Sequence, residues 1–252
     1  MVHRVIAGLA PAVRVVDLNH NVAPHDVRFG ALTLWRTAPW LAPGVILAVV
    51  DPGVGTNRRP VAITVSPAKV VLVGPDNGLL LPAALRLGPI TAAVELDQVE
   101  TDRGATFAGR DLFAPAAARI AAGGDPHALG VAIDPQTLQG EPVASPAREL
   151  DGSFRTEVLW VDRFGNVQLN AGPREAGLLG AEIWIRTDTG LWPGRLARAY
   201  ADLQPDELGL VHDSYDLLSI SLNAASAAEL TGAAPGDTVW LSRRAGGGAH
   251  RD

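Results

Sequence analysis

The chain has 252 residues, a formal net charge of −6 and no cysteine. This length suits one large domain or two modest ones, and the lack of cysteine excludes disulfides, thiolate catalysis and cysteine-ligated metals. No stretch concentrates Lys or Arg, which argues against nucleic acid as a partner. No apolar run reaches the roughly 20 residues that span a bilayer, and Pro11 and Arg14 interrupt a faint signal-peptide pattern. We therefore expect a cytoplasmic protein without a membrane partner.

The first half of the chain alternates strand-like and helix-like segments. Runs rich in β-branched residues predict strands, and apolar residues at helical spacing predict helices. The predicted strands are residues 13–18, 44–50, 61–65 and 70–74, and the predicted helices follow Phe29 and span 81–87 and 113–122. We therefore expect residues 1–140 to form an α/β domain, with a central, mostly parallel sheet and flanking helices.

A glycine-rich turn, D-P-G-V-G-T-N-R-R, follows the predicted strand at residues 44–50. It places Asp51 at the carboxyl end of that strand, where ligands bind in open α/β sheets, and Arg58 a few residues later. Glycine lets a ligand approach the main chain closely. A carboxylate and a guanidinium on one such turn predict a reaction centre. A tight turn with a structural Asp–Arg pair is the alternative, because a single Gly-x-Gly is weak evidence.

The apolar periodicity lapses between residues 134 and 153, where prolines and glycines accumulate. We interpret residues 141–152 as a domain linker. Short alternating strands are then predicted at 156–161, 182–186, 218–222 and 238–241. Residues 153–244 are therefore expected to form a small, mainly β domain, and the glycine-rich residues 245–252 a disordered tail.

Three further segments place polar residues beside turns. V-D-R-F-G-N ends a predicted strand with Asp162, Phe164 and Asn166, which offer a carboxylate for an ammonium, a ring for a planar base and an amide for its edge. V-G-P-D-N-G-L-L follows the strand at 70–74, and T-F-A-G-R-D brings Asp111 to the start of a helix. Turn formation and helix capping explain each segment taken alone. The histidines lack metal-ligand spacing, so no metal site is predicted.

Taken together, these segments occur in the order and spacing of one family. The matching motifs are D-P-G-V-G-T-N-R-R, V-G-P-D-N-G-L-L, T-F-A-G-R-D-L-F-A-P and D-R-F-G-N-V-Q-L-N. On these motifs the chain resembles the S-adenosyl-L-methionine (SAM) hydroxide adenosyltransferases, or SAM hydrolases, a family that includes fluorinase and chlorinase. The resemblance implies an α/β domain, a smaller all-β, barrel-like domain, and a homotrimer with active sites between neighbouring subunits. It also implies hydrolysis of SAM to adenosine and L-methionine by attack of water at ribose C5′, without a cofactor.

The resemblance also implies roles for particular residues. Asp51 and Arg58 match two members of the family's catalytic set. The halogenating branch has a tyrosine at the position of Asp51, and a carboxylate there favours a water-derived nucleophile because it repels a halide. The implied substrate-binding residues are Asp162 for the methionine ammonium, Asn166 for adenine, and Phe164, Ser214, Tyr215 and Thr106.

Two features depart from the family pattern. Ala108 stands where the family has a histidine, a residue that can shuttle a proton near neutral pH. Residues 1–6 match a point well inside the family pattern, after its first strand and a ribose-binding aspartate, which predicts a misassigned start codon. The alternatives to a SAM hydrolase are therefore a weak or inactive relative that binds SAM or adenosine, then a SAM-dependent halogenase. A methyltransferase fits the later motifs poorly.

Overall fold

The computed structural model describes residues 1–97 and 106–244. The chain divides into two compact units, Met1–Pro142 and Val143–Asp252, and each unit has its own hydrophobic core. Within the described ranges, no helix is long and apolar enough to cross a membrane. The tail predicted at 245–252 lies outside the described residues.

The described residues of the first unit form a five-stranded sheet with helices on both faces. Its strands are β1 (Gly44–Leu47), β2 (Pro60–Val65), β3 (Val70–Pro75), β4 (Ile90–Leu96) and β5 (Gly130–Ile133). Its α-helices are α1 (Val2–Leu9), α2 (Val27–Thr37), α3 (Leu81–Leu87) and α4 (Ala114–Ala121), with short 3-10 helices at Ala38–Trp40, Pro126–Leu129 and Pro135–Thr137. Successive side chains of β2 point to opposite faces. Val61 and Ile63 share a core with α2 and α3, whereas Ala62 packs with α4.

The sheet order is β1-β3-β2-β4-β5, and among the described strands of this sheet only β1 and β3 pair parallel. Strand β2 pairs antiparallel with β3 and β4, and β4 pairs antiparallel with β5. The prediction of a mostly parallel sheet is therefore wrong. Only residues 66–69 join β2 to β3, and so short a link makes a hairpin, because parallel neighbours need a crossover of about a dozen residues or more.

Residues 13–18, predicted as a strand, form none and are mostly exposed. No strand in the described part of the chain pairs with them, and β-branched residues favour a strand only where neighbours pack against them. The other predicted strands and helices of this unit are confirmed as β1 to β3 and α2 to α4. Helix α1 and strands β4 and β5 were not predicted.

The described residues of the second unit form a closed barrel of seven strands, which confirms the barrel-like expectation. Its strands are β6 (Ala147–Arg148), β7 (Phe154–Val161), β8 (Val167–Leu169), β9 (Glu182–Thr187), β10 (Gly190–Ala197), β11 (Leu208–His212), β12 (Leu218–Ser221) and β13 (Thr238–Arg243). Its helices are α5 (Pro173–Leu179) and α6 (Ala227–Thr231), with a 3-10 turn at Tyr200–Asp202. The ring runs β13-β9-β10-β11-β12-β8-β7 and closes where β13 pairs with β7. Strand β6 pairs with β7 outside the ring, so the predicted linker 141–152 contains a short strand.

Candidate active site

Asp51 and Arg58 form a bidentate ion pair on the turn that follows β1. Arg58 Nε donates to Asp51 Oδ1 at 2.9 Å and to Oδ2 at 3.0 Å, and Nη2 donates to Oδ2 at 2.5 Å. The Asp51 side chain is 5% exposed and that of Arg58 is 14% exposed. Charge-assisted bonds of this fork geometry fix both groups in orientation as well as in distance. The structure therefore brings the two predicted catalytic residues together.

Two glycines shape the turn so that Arg58 reaches back to Asp51. Gly55 has a φ of +79°, in the left-handed region that glycine enters without steric cost. A Cβ on Gly53 would lie 3.1 Å from Arg58 Cγ and 3.3 Å from Thr56 Oγ1. Thr56 Oγ1 donates to the Gly53 carbonyl at 2.7 Å and closes the turn. Larger residues at Gly53 would displace the arginine stem, so this glycine helps to position the ion pair.

Two residues that sequence reasoning did not assign to the site support the pair. Phe113 is fully buried, and its ring centre lies 5.1 Å from Arg58 Cζ, within the range of a cation–π contact. Asn77 Nδ2 donates to the Val50 carbonyl at 2.9 Å, which ties the turn after β3 to the residue before Asp51. The V-G-P-D-N-G motif contained a signal for Asn77. Phe113 has the sequence signature of an ordinary helix-core residue.

The T-F-A-G-R-D segment enters α4 through a π-helical turn, Gly109–Phe113. A Cβ on Gly109 would lie 3.9 Å from Val49 Cγ1. The segment therefore runs beside the residues that join β1 to Asp51. Thr106 is exposed, and Ala108 is partly buried against the core cluster that contains Phe113. Turns of π-helix are rare and occur frequently at functional sites. The methyl side chain of Ala108 has no group that can carry a proton.

Arg110 and Asp111, in the same segment, bind each other. Arg110 Nε donates to Asp111 Oδ1 at 2.6 Å, and Nη2 donates to Oδ2 at 2.7 Å. The hydrogen bond to Asp111 raises the pKa of the Arg110 guanidinium. The residue that precedes α4 is Phe113, whose side chain caps no amide. Asp111 is therefore not the N-cap of α4, and its carboxylate binds a guanidinium.

A second buried ion pair follows the first along the chain. Arg59 donates to Asp76 Oδ2 from Nε at 3.0 Å and from Nη2 at 2.6 Å, and the Asp76 side chain is 3% exposed. Arg59 also donates to Thr137 Oγ1 at 3.0 Å, and Gln139 N donates to Asp76 Oδ1 at 2.7 Å. These bonds hold residues 137–139 against the turn after β3. The Arg59–Asp76 pair therefore has a structural explanation.

In the second unit, Asp162 organises the turn between β7 and β8. Its Oδ1 accepts from Phe164 N at 2.8 Å and from Asn166 N at 2.9 Å, and its Oδ2 accepts from Asn166 Nδ2 at 2.8 Å. Asn166 is buried, whereas Phe164 is 63% exposed. Gly165, with a φ of +81°, lies so close to Ser226 that a Cβ would collide with it. The turn thus groups three predicted binding residues and leaves the ring of Phe164 open to solvent.

The loop between β11 and β12 carries Ser214, which is exposed, and Tyr215, which is partly buried. Asp213 organises this loop, since its Oδ1 accepts from Tyr215 N at 2.8 Å. Its Oδ2 accepts from Gln168 Nε2 at 2.6 Å. Because Gln168 lies on β8, directly after the Asp162 turn, this bond connects the two loops. The structure therefore brings the Asp162 and Ser214 segments to neighbouring strands of the barrel.

Tyr200 lies within electrostatic reach of both loops, and sequence reasoning did not single it out. Burial raises the pKa of its hydroxyl, and the negative charges of Asp162 and Asp213 raise it further. Tyr200 is 43% exposed, so part of its ring faces solvent. A phenol beside two carboxylates marks a part of the barrel surface where a cation is favoured. The segment R-A-Y-A-D contains no local motif that could have revealed this placement.

The fold and these side chains define a class of two-unit protein, in which an α/β unit carries a buried Asp–Arg pair and a β barrel carries acidic loops. Comparison with known proteins identifies the class. Residues 1–130 match the family model of the SAM hydroxide adenosyltransferase N-terminal domain, and residues 156–240 match that of the C-terminal domain. The chain belongs to this family, as the sequence motifs predicted.

Individual relatives cover almost the whole chain. The (R)-S-adenosyl-L-methionine hydrolase of Salinispora tropica is 46% identical over 244 residues, which are 95% of this chain and 90% of the relative. The protein of the same name from Thermus thermophilus is 38% identical over 258 residues, and the match covers 96% of this chain and 92% of the relative. A solved structure of an uncharacterized conserved protein from Thermotoga maritima is 27% identical, with a TM-score of 0.87, and the match covers 96% of this chain and 94% of that one.

Proposed function

We propose that the protein is a SAM hydrolase, which converts S-adenosyl-L-methionine and water into adenosine and L-methionine. The observation that carries this proposal is the bidentate Asp51–Arg58 pair, whose side chains are 5% and 14% exposed. Membership of the SAM hydroxide adenosyltransferase family supports the same reaction. Relatives named as SAM hydrolases match 95% and 96% of this chain.

The reaction is a displacement at ribose C5′. A bond forms between the water oxygen and C5′ while the C5′–S bond breaks, and its electron pair converts the sulfonium into the neutral thioether of methionine. Water loses one proton in the process. Because the incoming nucleophile and the sulfonium disperse their charges in the transition state, a dry and preorganised site accelerates the step. The protein needs to position and activate water, and this chemistry requires no cofactor.

Asp51 is the group that we assign to water. Its carboxylate accepts a hydrogen bond from the attacking water and takes up the proton that water loses. Arg58 binds the carboxylate at 2.5 to 3.0 Å and holds it in one orientation. A positioned general base contributes typically about 10²- to 10⁴-fold. A carboxylate at this place repels a halide, so the pair favours hydrolysis over halogenation.

The barrel loops supply the proposed substrate contacts. Asp162 provides negative charge for the methionine ammonium, and the exposed ring of Phe164 provides a face for adenine. Asn166 donates through Nδ2 to Asp162, so its Oδ1 is the atom that we assign to the adenine amine. Ser214 and Tyr215 add hydroxyl groups for the methionine moiety, and the Thr106 hydroxyl is a further proposed substrate contact.

We further propose that the protein acts in the cytoplasm as a homotrimer, with active sites at the subunit interfaces. The support is the family to which the chain belongs. Light scattering on the purified protein is expected to give three times the chain mass of 26.3 kDa. A monomer at the concentrations used for activity, with full turnover, would contradict this assembly.

A catalytically weak or inactive relative is the second candidate, and Ala108 is the observation that favours it. The family histidine that Ala108 replaces is a proton shuttle, and its loss lowers the rate without removing Asp51 or Arg58. Such a protein binds SAM or adenosine and turns SAM over slowly or not at all.

Incubation of the full chain with SAM in ¹⁸O-labelled water, followed by chromatography and mass spectrometry, tests the proposal. A hydrolase releases adenosine and methionine in equal amounts, with the label in adenosine, because water attacks C5′. Measurable SAM binding without product would identify the inactive relative. Chloride-dependent formation of 5′-chloro-5′-deoxyadenosine would identify a halogenase.

A further inference from the structure

Three side chains of the first unit that can ligate a metal, none of them part of the Asp51–Arg58 pair, converge at one place. Asp17 Oδ1 lies 2.7 Å from His3 Nε2 and 2.9 Å from His20 Nε2. One ligand atom from each residue lies within 4.8 Å of the other two. Across residues 1–97 and 106–244, no other three His, Cys, Asp or Glu side chains meet in this way. The sequence predicted no metal site, because His3 and Asp17 are 14 positions apart.

The packing of α1 explains how the three residues meet. Ile6 of α1 packs with Ala114 and Ala118 of α4, which fixes the helix on the unit. The Ala10 N–H donates to the Ile6 carbonyl at 2.8 Å, and Val13 packs against the same cluster. The chain therefore reverses direction after α1, and the following irregular segment carries Asp17 and His20 back beside its first turn. The packing of α1 against α4 fixes the position of the cluster, and its three side chains are exposed to solvent.

We propose that His3, Asp17 and His20 form a binding site for a late first-row divalent metal ion, with Zn²⁺ as the representative. Two imidazole nitrogens and one carboxylate oxygen are a ligand set that Zn²⁺ accepts, with water in the fourth position. Mg²⁺ and Ca²⁺ are excluded as the preferred ions because they select oxygen ligands. This site is independent of the proposed hydrolysis of SAM.

Geometry and access support the same assignment. Both imidazole nitrogens lie within hydrogen-bond distance of one carboxylate oxygen, Asp17 Oδ1, so the three ligand atoms already share one small volume. The side chains of His3, Asp17 and His20 are 54%, 51% and 77% exposed. An ion can therefore enter from solvent without unfolding of the unit. On binding, it takes the place of the hydrogen bonds between the Asp17 carboxylate and the two imidazoles.

Equilibrium dialysis of the full chain against Zn²⁺ tests the site. We expect one Zn²⁺ per chain, and Asp17→Asn or His20→Gln should weaken binding by about 10-fold or more, because each removes one of three ligands. His212→Gln is the matched control, since His212 Nε2 also contacts an exposed carboxylate, Asp216 Oδ1, at 3.2 Å. That pair has only two ligands, so its loss should leave Zn²⁺ binding unchanged.

Thermal unfolding in the same four proteins provides a second readout. A ligand that binds only the folded state raises the melting temperature, so Zn²⁺ should raise it for the original chain and for His212→Gln, and not for the two cluster variants. Because the three side chains are exposed, the variants should keep the original circular dichroism spectrum. No Zn²⁺ binding by the original chain would overturn the proposal. Equal Zn²⁺ binding by all four proteins would also overturn it, since the ion would then lie elsewhere.

Discussion

The two units hold their predicted functional carboxylates in different ways. In the α/β unit, Asp51 binds a guanidinium, with Arg58 donating at 2.5 to 3.0 Å. In the barrel, Asp162 binds amide groups of its own turn, at 2.8 to 2.9 Å. A carboxylate aimed by a second charged side chain suits a role in chemistry, because its orientation is fixed. A carboxylate that shapes its own loop suits a role in binding, because its loss changes the loop.

The largest effect is expected for Asp51→Asn. This variant removes the proposed base while it keeps the size of the side chain, so kcat should fall by about 10²- to 10⁴-fold. Asp76→Asn is the matched control, because Asp76 is 3% exposed and binds Arg59 in a similar geometry. It should lower the melting temperature while kcat stays within a few-fold. Steady-state release of adenosine measures kcat for both variants. Equal losses of kcat in the two variants would show that the Asp51–Arg58 pair, like the Arg59–Asp76 pair, stabilises the fold and has no role in the reaction.

The next effect is a gain, expected for Ala108→His. An imidazole at this position would restore the group that the family uses to move a proton, and kcat should rise by about 10-fold or more. Ala108→Asn is the control, because asparagine is polar and does not titrate. The gain should disappear below the ordinary histidine pKa of about 6.5. If the asparagine variant were as fast as the histidine variant, space or polarity rather than proton transfer would be the cause.

The elements that sequence predicted well are those with a strong local signal. Strands β2 and β3 are β-branched runs buried on both faces, and their predicted ranges differ from the observed ones by one residue at most. Strand β5 is four residues long and exposes Val131, so it has too little apolar patterning to be detected. The parallel or antiparallel pairing of the strands has no such local signal, because it depends on which strands become neighbours. Local periodicity does not contain that information, and the parallel sheet was wrongly predicted for this reason.

The residues of the candidate site also differ in whether a local sequence signal or the tertiary structure reveals them. Asp51 and Arg58 lie on one turn, so the sequence alone allowed two interpretations, a reaction centre and a structural Asp–Arg pair, and the family resemblance implied their catalytic roles. Phe113, on the turn that precedes α4, contacts the Arg58 guanidinium. Tyr200, on a 3-10 turn of the barrel, lies within electrostatic reach of the acidic loops. Both placements arise only when distant segments pack together. Residues of this kind need the tertiary structure, because no short motif surrounds them.

A smaller effect is expected for Asp162→Ala. The variant removes the charge proposed for the substrate ammonium, so KM should rise by about 10-fold, whereas kcat should change by only a few-fold because the group does not act in the displacement itself. Asp151→Ala is the control within the same barrel, since Asp151 Oδ1 also accepts from a turn amide, Ser153 N, at 2.9 Å. It should leave KM unchanged. A fall in kcat without a rise in KM for Asp162→Ala would move this aspartate from binding to chemistry.

The smallest effect concerns Tyr200. The chain has two tyrosines, Tyr200 and Tyr215, and ultraviolet titration should show Tyr200 ionising above the ordinary value of 10.0. Since its pKa is raised in the folded state, the unfolded chain loses this proton first as the pH rises, so the free energy of unfolding falls above about pH 10. Tyr200→Phe should remove that part of the alkaline loss of stability.

The same titration compares the two acidic loops of the barrel. Burial is the largest cause of the raised pKa of Tyr200, and the charges of Asp162 and Asp213 add to it. Asp162→Ala should therefore lower the Tyr200 pKa part of the way toward 10.0, whereas Asp151→Ala should leave it unchanged. If both variants titrated like the original chain, burial alone would set the pKa. The negative potential proposed to attract the substrate cation would then come from outside the Asp162 turn.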